Sequence, residues 1–332
     1  MPAPVNPQLP IHPDPPEPWT WTSPCGQPLK VGWSCQKPNK PDPDHAVAVV
    51  LIHGFGACKE HWRYNMPVLA NAANTYAIDL IGFGMSSQPR ALLGDDFSDN
   101  DAVEGDSLCY SFDLWAAQVV AFCQQVVQQP VVLVGNSIGG VVALRAAQLL
   151  QEQSQSVSCE GVVLIDCAQR LMDDKQLATQ PAWMAWIRPL LKTLVSQRWL
   201  STALFRNAAR PALIRSVLHQ AYPSGSNVDD DLVSLLFKPS QRPGAPEAFR
   251  GFINLFNDHL APSLLESLSL PVHMIWGEAD PWEPVGEAKN WEQQFDCIQS
   301  LLVIPHAGHC PHDESPSEVN ERLLLILNQQ AT

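Results

Sequence analysis

The 332-residue sequence has little charge, and positive charge is especially scarce. Charged residues make up 16% of the chain, and 34 acidic against 20 basic residues give a formal net charge of −14. Such an excess of negative charge repels phosphate backbones and anionic surfaces at long range, unless a local basic patch overrides it. The composition therefore argues against nucleic acid as a partner and favours a neutral or apolar substrate.

Long apolar runs and secretion signals are also missing. No stretch approaches the roughly 18 uncharged apolar residues of a membrane-spanning helix, so no transmembrane segment is expected. The opening MPAPVNPQLPIHPDPPEPW has neither the basic start nor the apolar centre of a signal peptide. Its many prolines predict an extended, disordered tail over residues 1–18.

The nine cysteines form no CxxC pair and no zinc-type spacing with histidine. Several lie in apolar runs such as AFCQQVV and VLIDCA, which is typical of reduced thiols in a core and indicates a reducing, cytoplasmic compartment. The acidic segment 94–106 lacks the glycine and the terminal glutamate of an EF-hand loop, so a solvated surface loop is expected there. No metal and no other cofactor is expected.

Short β-branched runs alternate with helical patterns, which predicts βαβ units. The expected fold class is α/β, with a mostly parallel sheet covered by helices on both faces. The segments WTWTS and LKVGWSC lie too close together for a helical crossover and are expected as antiparallel edge strands. Buried strands are expected to end at His53, Leu80, Gly135, Asp166, Gly277 and Pro305.

The alternation is interrupted by residues 168–270, where helical patterns dominate and no convincing buried strand occurs. This interruption predicts a helical cap inserted into a core made of residues 19–167 and 271–332. One helix of the cap should have a continuous apolar face that includes Trp183, Trp186 and Leu190. That face either packs on neighbouring helices or lines an apolar substrate pocket, and both interpretations stay open.

The stretch VVLVGNSIGGVVALRAA carries the strongest chemical signal. An apolar strand runs into a helix through Gly135 and Gly139, which flank Ser137 in a GxSxG pattern. The pattern and its strand–turn–helix context are similar to the nucleophile elbow of α/β-hydrolases, where a sharp turn exposes the serine hydroxyl. We therefore predict Ser137 as a nucleophile.

A serine nucleophile requires a base to accept its proton. The loop after the last strand, which in this fold returns a histidine to the serine, contains His306, His309 and His312. His306 lies close to the strand end and His312 approaches the next helix. His309, which follows Gly308, is therefore predicted as the base.

An acid must orient that base and stabilise its protonated form. Asp280, in the loop after the penultimate strand, gives the chain order Ser, Asp, His of an α/β-hydrolase. Asp166, which ends an earlier strand, is the alternative. Two backbone N–H groups are predicted to bind the oxyanion, those of Ile138 after the nucleophile and of Phe55 in the HGFG turn.

Five segments extend the resemblance to nearly the whole chain after the tail: LIHGFGACKEHWRYNMPVLA, YAIDLIGFGMSSQP, GNSIGG, WGEADPWEP and AGHCPHDESPSEVN. They resemble the plant and cyanobacterial branch of the α/β-hydrolases that includes pheophytinase and chlorophyll dephytylase. The resemblance implies an eight-stranded type of sheet and a helical cap between the strands ending at Asp166 and Gly277. It also implies the triad of Ser137, Asp280 and His309.

A serine at the elbow favours acyl transfer, because haloalkane dehalogenases and epoxide hydrolases of this family use an aspartate there. The predicted activity is hydrolysis of a carboxylic ester through an acyl-enzyme, and the resemblance implies a prenyl ester such as the phytyl ester of a chlorophyll-type pigment. The alternatives are a generic esterase or thioesterase and a cofactor-free haloperoxidase-like enzyme. A binding protein that carries an apolar ligand on the same fold is the non-enzymatic alternative.

The charges of the cap segment 181–205 are all basic, namely Arg188, Lys192 and Arg198, and they stand among Trp and Leu residues. This pattern favours peripheral contact with a membrane or with a pigment-bearing protein. An ordinary amphipathic lid explains it equally well. In the first case the protein would lie against a photosynthetic membrane.

Overall fold

The computed structural model describes residues 17–38, 47–93, 107–152, 157–170, 173–179 and 184–330. The predicted tail falls outside these ranges except for its last two residues. The acidic segment 94–106 and Trp183 also lie outside them, and for Trp186 only the helical backbone is described. The predictions made for these residues therefore stay predictions.

Seven strands form the main sheet of the described chain, in the order β11-β10-β9-β8-β4-β5-β3. All neighbours are parallel except β3 and β5, so the mostly parallel α/β sheet is confirmed. β1 pairs with β2 in a separate antiparallel hairpin, and the described main sheet has seven strands where eight were expected. The strands are β1 Trp19–Thr22, β2 Pro28–Val31, β3 Trp33–Gln36, β4 Ala48–Ile52, β5 Thr75–Ile78, β6 Arg90–Ala91, β7 Ser107–Leu108, β8 Val131–Asn136, β9 Cys159–Ile165, β10 Val272–Gly277 and β11 Ile298–Ile304.

Six helices, α4 to α9, lie between β9 and β10, where the cap is predicted. The boundaries of the cap at residues 168 and 270 stay a prediction. No described helix is both long and apolar enough to cross a membrane. The helices are α1 Met66–Leu69, α2 Phe112–Phe122, α3 Ile138–Glu152, α4 Met184–Ser196, α5 Arg198–Ala208, α6 Pro211–Ala221, α7 Asp230–Ser240, α8 Ala245–Ile253, α9 Ala261–Leu265, α10 Val285–Gln294, α11 Pro311–Glu314 and α12 Pro316–Gln330.

The central strands are buried on both faces, which explains their continuous apolar sequences. In β4, Val50 and Ile52 contact one apolar cluster together with α2 and α3. Val49 and Leu51 point to the opposite face and join a second cluster with α12. The nine cysteines form no disulfide with one another, and five of them are buried.

Glycines allow α3 to pack unusually close to the sheet. A Cβ atom on Gly135 would lie 2.1 Å from the carbonyl oxygen of Gly139. A Cβ atom on Gly139 would lie 2.4 Å from the carbonyl oxygen of Ile52 in β4. The helix that begins directly after Ser137 is therefore in backbone contact with two strands, and a side chain at either glycine would push them apart.

We expect Gly135→Ala to lower the free energy of unfolding by about 3 kcal/mol, because the added methyl group meets backbone atoms that cannot rotate away. The matched control is Gly286→Ala in α10, where an added Cβ meets no atom within 4 Å. That change should leave stability unchanged or raise it by about 0.5–1 kcal/mol. Urea unfolding curves measure both, and equal stability of the two variants would contradict the close-packing argument.

Candidate active site

Ser137 occupies the sharp turn between β8 and α3. Its φ is +55°, a left-handed conformation that non-glycine residues rarely adopt. Its N–H donates to the carbonyl oxygen of Ile165 at 2.9 Å, and its own carbonyl accepts from Gly140 at 3.0 Å and from Ala168 at 3.1 Å. Neighbouring backbone on both sides thus holds the strained turn that the GxSxG pattern predicts.

His309 and Asp280 form a buried pair. The Nδ1 atom of the His309 ring lies 2.8 Å from Oδ2 of Asp280. The other carboxylate oxygen of Asp280 accepts from the N–H groups of Trp282 at 2.8 Å and Glu283 at 3.1 Å. Burial raises the pKa of Asp280, but the hydrogen bond and charge of His309 outweigh it, with a backbone hydrogen bond from Trp282 adding to them. The net pKa of this carboxyl is lowered, so it is a carboxylate.

The loop of His309 is fixed by contacts with both the elbow and the cap region. The backbone N–H of His309 donates to the carbonyl oxygen of Ala221, the last residue of α6, at 2.8 Å. Asn136 donates from Nδ2 to the carbonyl oxygens of His309 at 3.1 Å and Ile165 at 3.2 Å. The sequence reasoning missed this role of Asn136, although its place directly before Ser137 is a signal. The indole of Trp282 packs edge-on against the His309 ring at 4.9 Å.

The two other histidines of this segment lie elsewhere. His306 is exposed, with a left-handed φ of +62° at the end of β11. His312 is buried against the rings of Trp62 at 4.4 Å and His61 at 4.6 Å. Burial lowers the pKa of His312 well below its ordinary value, so the ring is neutral.

The two predicted oxyanion donors flank the elbow. A Cβ on Gly54 would lie 3.1 Å from Cβ of Ser137, so the turn containing Phe55 lies directly against the nucleophile candidate. The His53 ring fixes this turn: Nε2 accepts from the N–H of Leu80 at 3.1 Å, and Nδ1 donates to the carbonyl oxygen of Gly54 at 2.7 Å. Across the described ranges, no acceptor is recorded for the N–H groups of Phe55 and Ile138.

An apolar cleft begins at this turn. The Phe55 side chain stacks on Phe252 at 4.2 Å, and Phe205 packs against Phe249 at 5.5 Å. Leu190 is 61% exposed and does not line this cleft, so the predicted pocket role of Trp183, Trp186 and Leu190 stays a prediction. The lining residues include Phe55, Phe83, Phe205, Leu236, Pro239 and Phe249.

Asp166, the alternative acid, follows β9 and is completely buried. Its Oδ1 atom accepts from the N–H of Gly277 at 2.9 Å, at the start of the loop that carries Asp280. One oxygen of each aspartate and one ring nitrogen of His309 lie within 4.8 Å of one another, an arrangement that could also hold a cation. The hydrogen bond of the His309 ring goes to Asp280.

Three similarities place the chain among known proteins. Pheophytinase, chloroplastic, of Arabidopsis thaliana is 26% identical over 313 residues, which cover 83% of this chain and 60% of that protein. The chain thus spans less than two thirds of that relative. A thermophilic esterase from Thermogutta terrifontis superposes with a TM-score of 0.66 at 19% identity, covering 96% of this chain and 100% of the other. A bromoperoxidase from Bacillus anthracis superposes with a TM-score of 0.67 at 19% identity, covering 94% and 100%.

The two structures support the fold alone, since their sequences are so distant. The family assignment has its own basis, because the model of the alpha/beta hydrolase family matches residues 49–322, which is most of the sequence. The elbow, the buried histidine–aspartate pair and the cleft all lie within that match. The chain belongs to the alpha/beta hydrolase family.

Proposed function

We propose that this protein is a serine hydrolase that cleaves carboxylic esters through an acyl-enzyme, with Ser137, His309 and Asp280 as the triad. The observation that carries the proposal is the 2.8 Å hydrogen bond between the buried His309 ring and Asp280, in a loop that Asn136 ties to the elbow of Ser137. A generic serine esterase, with no preference for prenyl esters, is the second candidate, and the esterase of Thermogutta terrifontis has the same fold.

In the proposed reaction, the Ser137 hydroxyl attacks the ester carbonyl while Nε2 of His309 accepts its proton. Asp280 holds the tautomer of His309 and stabilises the imidazolium. The N–H groups of Phe55 and Ile138 donate to the oxyanion, and since they are backbone groups they need no reorganisation as charge develops. The alcohol leaves with the proton from His309. Water then attacks the acyl-enzyme while His309 accepts its proton, and the Ser137 oxygen leaves with that proton as the carboxylic acid is released.

The substrate class we propose is a long prenyl ester, such as the phytyl ester of a chlorophyll-type pigment. The cleft supports an apolar substrate because phenylalanine rings provide much of its wall, beginning at the donor residue Phe55. The similarity to pheophytinase supports the pigment ester, and the chloroplastic location in that relative's name supports a photosynthetic setting. Nine cysteines that form no disulfide with one another are consistent with a reducing compartment.

We expect Ser137→Ala to abolish labelling by a fluorophosphonate probe and to lower kcat/KM for p-nitrophenyl esters by at least about 10⁴-fold, because the nucleophile is gone. Ser158→Ala, which removes an exposed serine hydroxyl, is the matched control and should label like the unaltered protein. Full labelling and turnover in the Ser137 variant would disprove the mechanism. Binding of apolar esters without turnover in the unaltered protein would instead identify a carrier on this fold.

We expect kcat/KM to rise steeply from short-chain to long prenyl esters, by up to about fourfold for each methylene buried in the cleft. Phe249→Ala opens the wall of the cleft and should flatten this rise while affecting acetate and butyrate esters less. Leu325→Ala, which shortens an exposed side chain on α12, is the control. A flat or falling chain-length profile in the unaltered protein would leave the generic esterase.

We further propose that the cap contacts an anionic lipid surface. Residues 176–228 contain no Asp or Glu but six Lys or Arg residues, in a chain whose net charge is −14. Leu190 is 61% and Trp199 71% exposed, and Arg206 and Arg210 are exposed near them in sequence. Exposed indole and leucine side chains among basic residues are typical of helices that lie in the membrane interface.

We expect the protein to co-sediment with phosphatidylglycerol vesicles and not with phosphatidylcholine vesicles, and added salt should weaken the binding. The triple variant Trp199→Ala, Arg206→Glu, Arg210→Glu should reduce the affinity more than about tenfold, since each basic residue near the surface contributes about 1 kcal/mol. Leu325→Ala serves as the control. Equal recovery with both lipids, or none with either, would contradict an anionic membrane as the partner.

A further inference from the structure

Asp166 is a buried carboxyl group that the proposed reaction leaves without a role. It follows β9 with a left-handed φ of +43° and has no solvent exposure. Its Oδ1 atom accepts from the N–H of Gly277, and its own N–H donates to the carbonyl oxygen of Ile275 at 3.1 Å. Both of these contacts are with β10, whose following loop carries Asp280. Asp166 is therefore fixed to the strand that positions the proposed acid.

The second oxygen of Asp166 is the unusual feature. As a carboxylate oxygen, Oδ2 has no hydrogen-bond partner among the described residues, although it is fully buried. One oxygen of the Asp166 carboxyl lies within 4.8 Å of an oxygen of the Asp280 carboxyl. Two ionised carboxylates are both acceptors and repel each other. A proton on one of them would give the unpartnered oxygen a hydrogen bond and would also remove the repulsion.

The charged and titratable groups around Asp166 favour its neutral form. Those that face it are Asp280, His309, Glu283, Cys167 and Cys310, and none of them is a lysine or an arginine. Burial, followed by the charge of Asp280, raises the pKa of Asp166 well above its ordinary value. Burial likewise raises the pKa of Glu283 to about 8.

We infer that Asp166 is a positioning residue that carries a proton and donates it in a hydrogen bond to Asp280, so that the two carboxyl groups together hold one negative charge behind His309. This inference rests on the proposed triad. Asp166 touches neither substrate nor nucleophile in this role and acts through Asp280. The protonated carboxyl of Asp166 would thereby give Asp280, which orients His309, one further hydrogen-bond donor.

The arrangement has a consequence for the base. A single negative charge shared by two carboxyl groups stabilises the imidazolium of His309 less than a fully localised carboxylate would. Loss of the proton from Asp166 would place a second negative charge beside the pair and hold the imidazolium too strongly. The proton on Asp166 therefore tunes how readily His309 accepts and releases the serine proton.

The first test compares Asp166→Asn, Asp166→Leu and Asp280→Asn by the pH profile of kcat/KM on p-nitrophenyl butyrate. The asparagine amide can donate to Asp280 and accept from Gly277, so it should retain at least about tenfold more activity than leucine. In the leucine variant the negative charge is localised on Asp280 and stabilises the imidazolium of His309 more strongly. The acidic limb of its pH profile should therefore move to higher pH. Asp280→Asn should lose about 10⁴-fold. Asp166→Ala replaces the leucine variant if leucine prevents folding.

The second test measures stability and needs no activity. A carboxyl whose folded pKa is raised binds a proton in the folded state that the unfolded chain has already lost. The contribution of such a group to the free energy of unfolding therefore falls as pH rises from the ordinary pKa of 3.8 towards the raised pKa of the folded state. Asparagine does not titrate, so Tm of Asp166→Asn minus Tm of the unaltered protein should grow with pH over this window. Glu283→Gln is the control for a neighbouring acid, with its own window between 4.5 and about 8.

The possible outcomes distinguish a failure of the inference about Asp166 from a failure of the proposed triad. A Tm difference between Asp166→Asn and the unaltered protein that stays constant with pH would show an ionised Asp166 and overturn the inference. Equal activities and equal acidic limbs in the asparagine and leucine variants would also overturn it, since no donor would then be needed. An inactive Asp166→Asn beside an active Asp280→Asn would instead exchange the two aspartates and overturn the acid assigned in the proposed function.

Discussion

The close backbone contact of α3 with β8 and β4 is the constraint on which the rest of the site depends. Because Gly135 and Gly139 have no side chains, the helix begins within van der Waals distance of both strands. This position forces Ser137 into the left-handed region and leaves the N–H of Ile138 at the start of a helix, where it has no intrahelical acceptor. It also brings the turn of Phe55 against the serine. The positions of the proposed nucleophile and of both proposed oxyanion donors thus follow from the same close packing.

The electrostatics around His309 follow from burial. The pKa of His53 and His312 is lowered because burial disfavours the imidazolium, so these rings add no positive charge to the site. Burial has the opposite sign for carboxyl groups and raises the pKa of Asp166 and Glu283. Asp280 differs because His309 and backbone donors of its own loop surround it. Local donors, rather than depth, therefore decide which buried acid bears the charge.

Features with a local signal could be predicted from the sequence, and features set by distant contacts could not. The strand runs and the GxSxG turn depend on nearby residues, and their predicted positions agree with β4, β5, β8, β9, β10 and β11 to within two residues at the carboxyl ends. The antiparallel pairing of β1 with β2 is likewise local, whereas the exposure of Leu190 and the bonds of Asn136 depend on residues far along the chain. The sequence left open which aspartate contacts His309, and the structure shows that it is Asp280, whose role as the catalytic acid is a proposal.

The hydrogen bond from His309 to Ala221 links the proposed base to the end of α6. Gly308 is equally confined, because a Cβ there would lie 2.2 Å from the carbonyl oxygen of Ala221. Because both contacts are with the last residue of α6, a displacement of that helix would release the backbone of His309 and disturb the hydrogen bond of its ring to Asp280. The competence of the proposed base thus depends on where one helix of the region predicted as the cap lies.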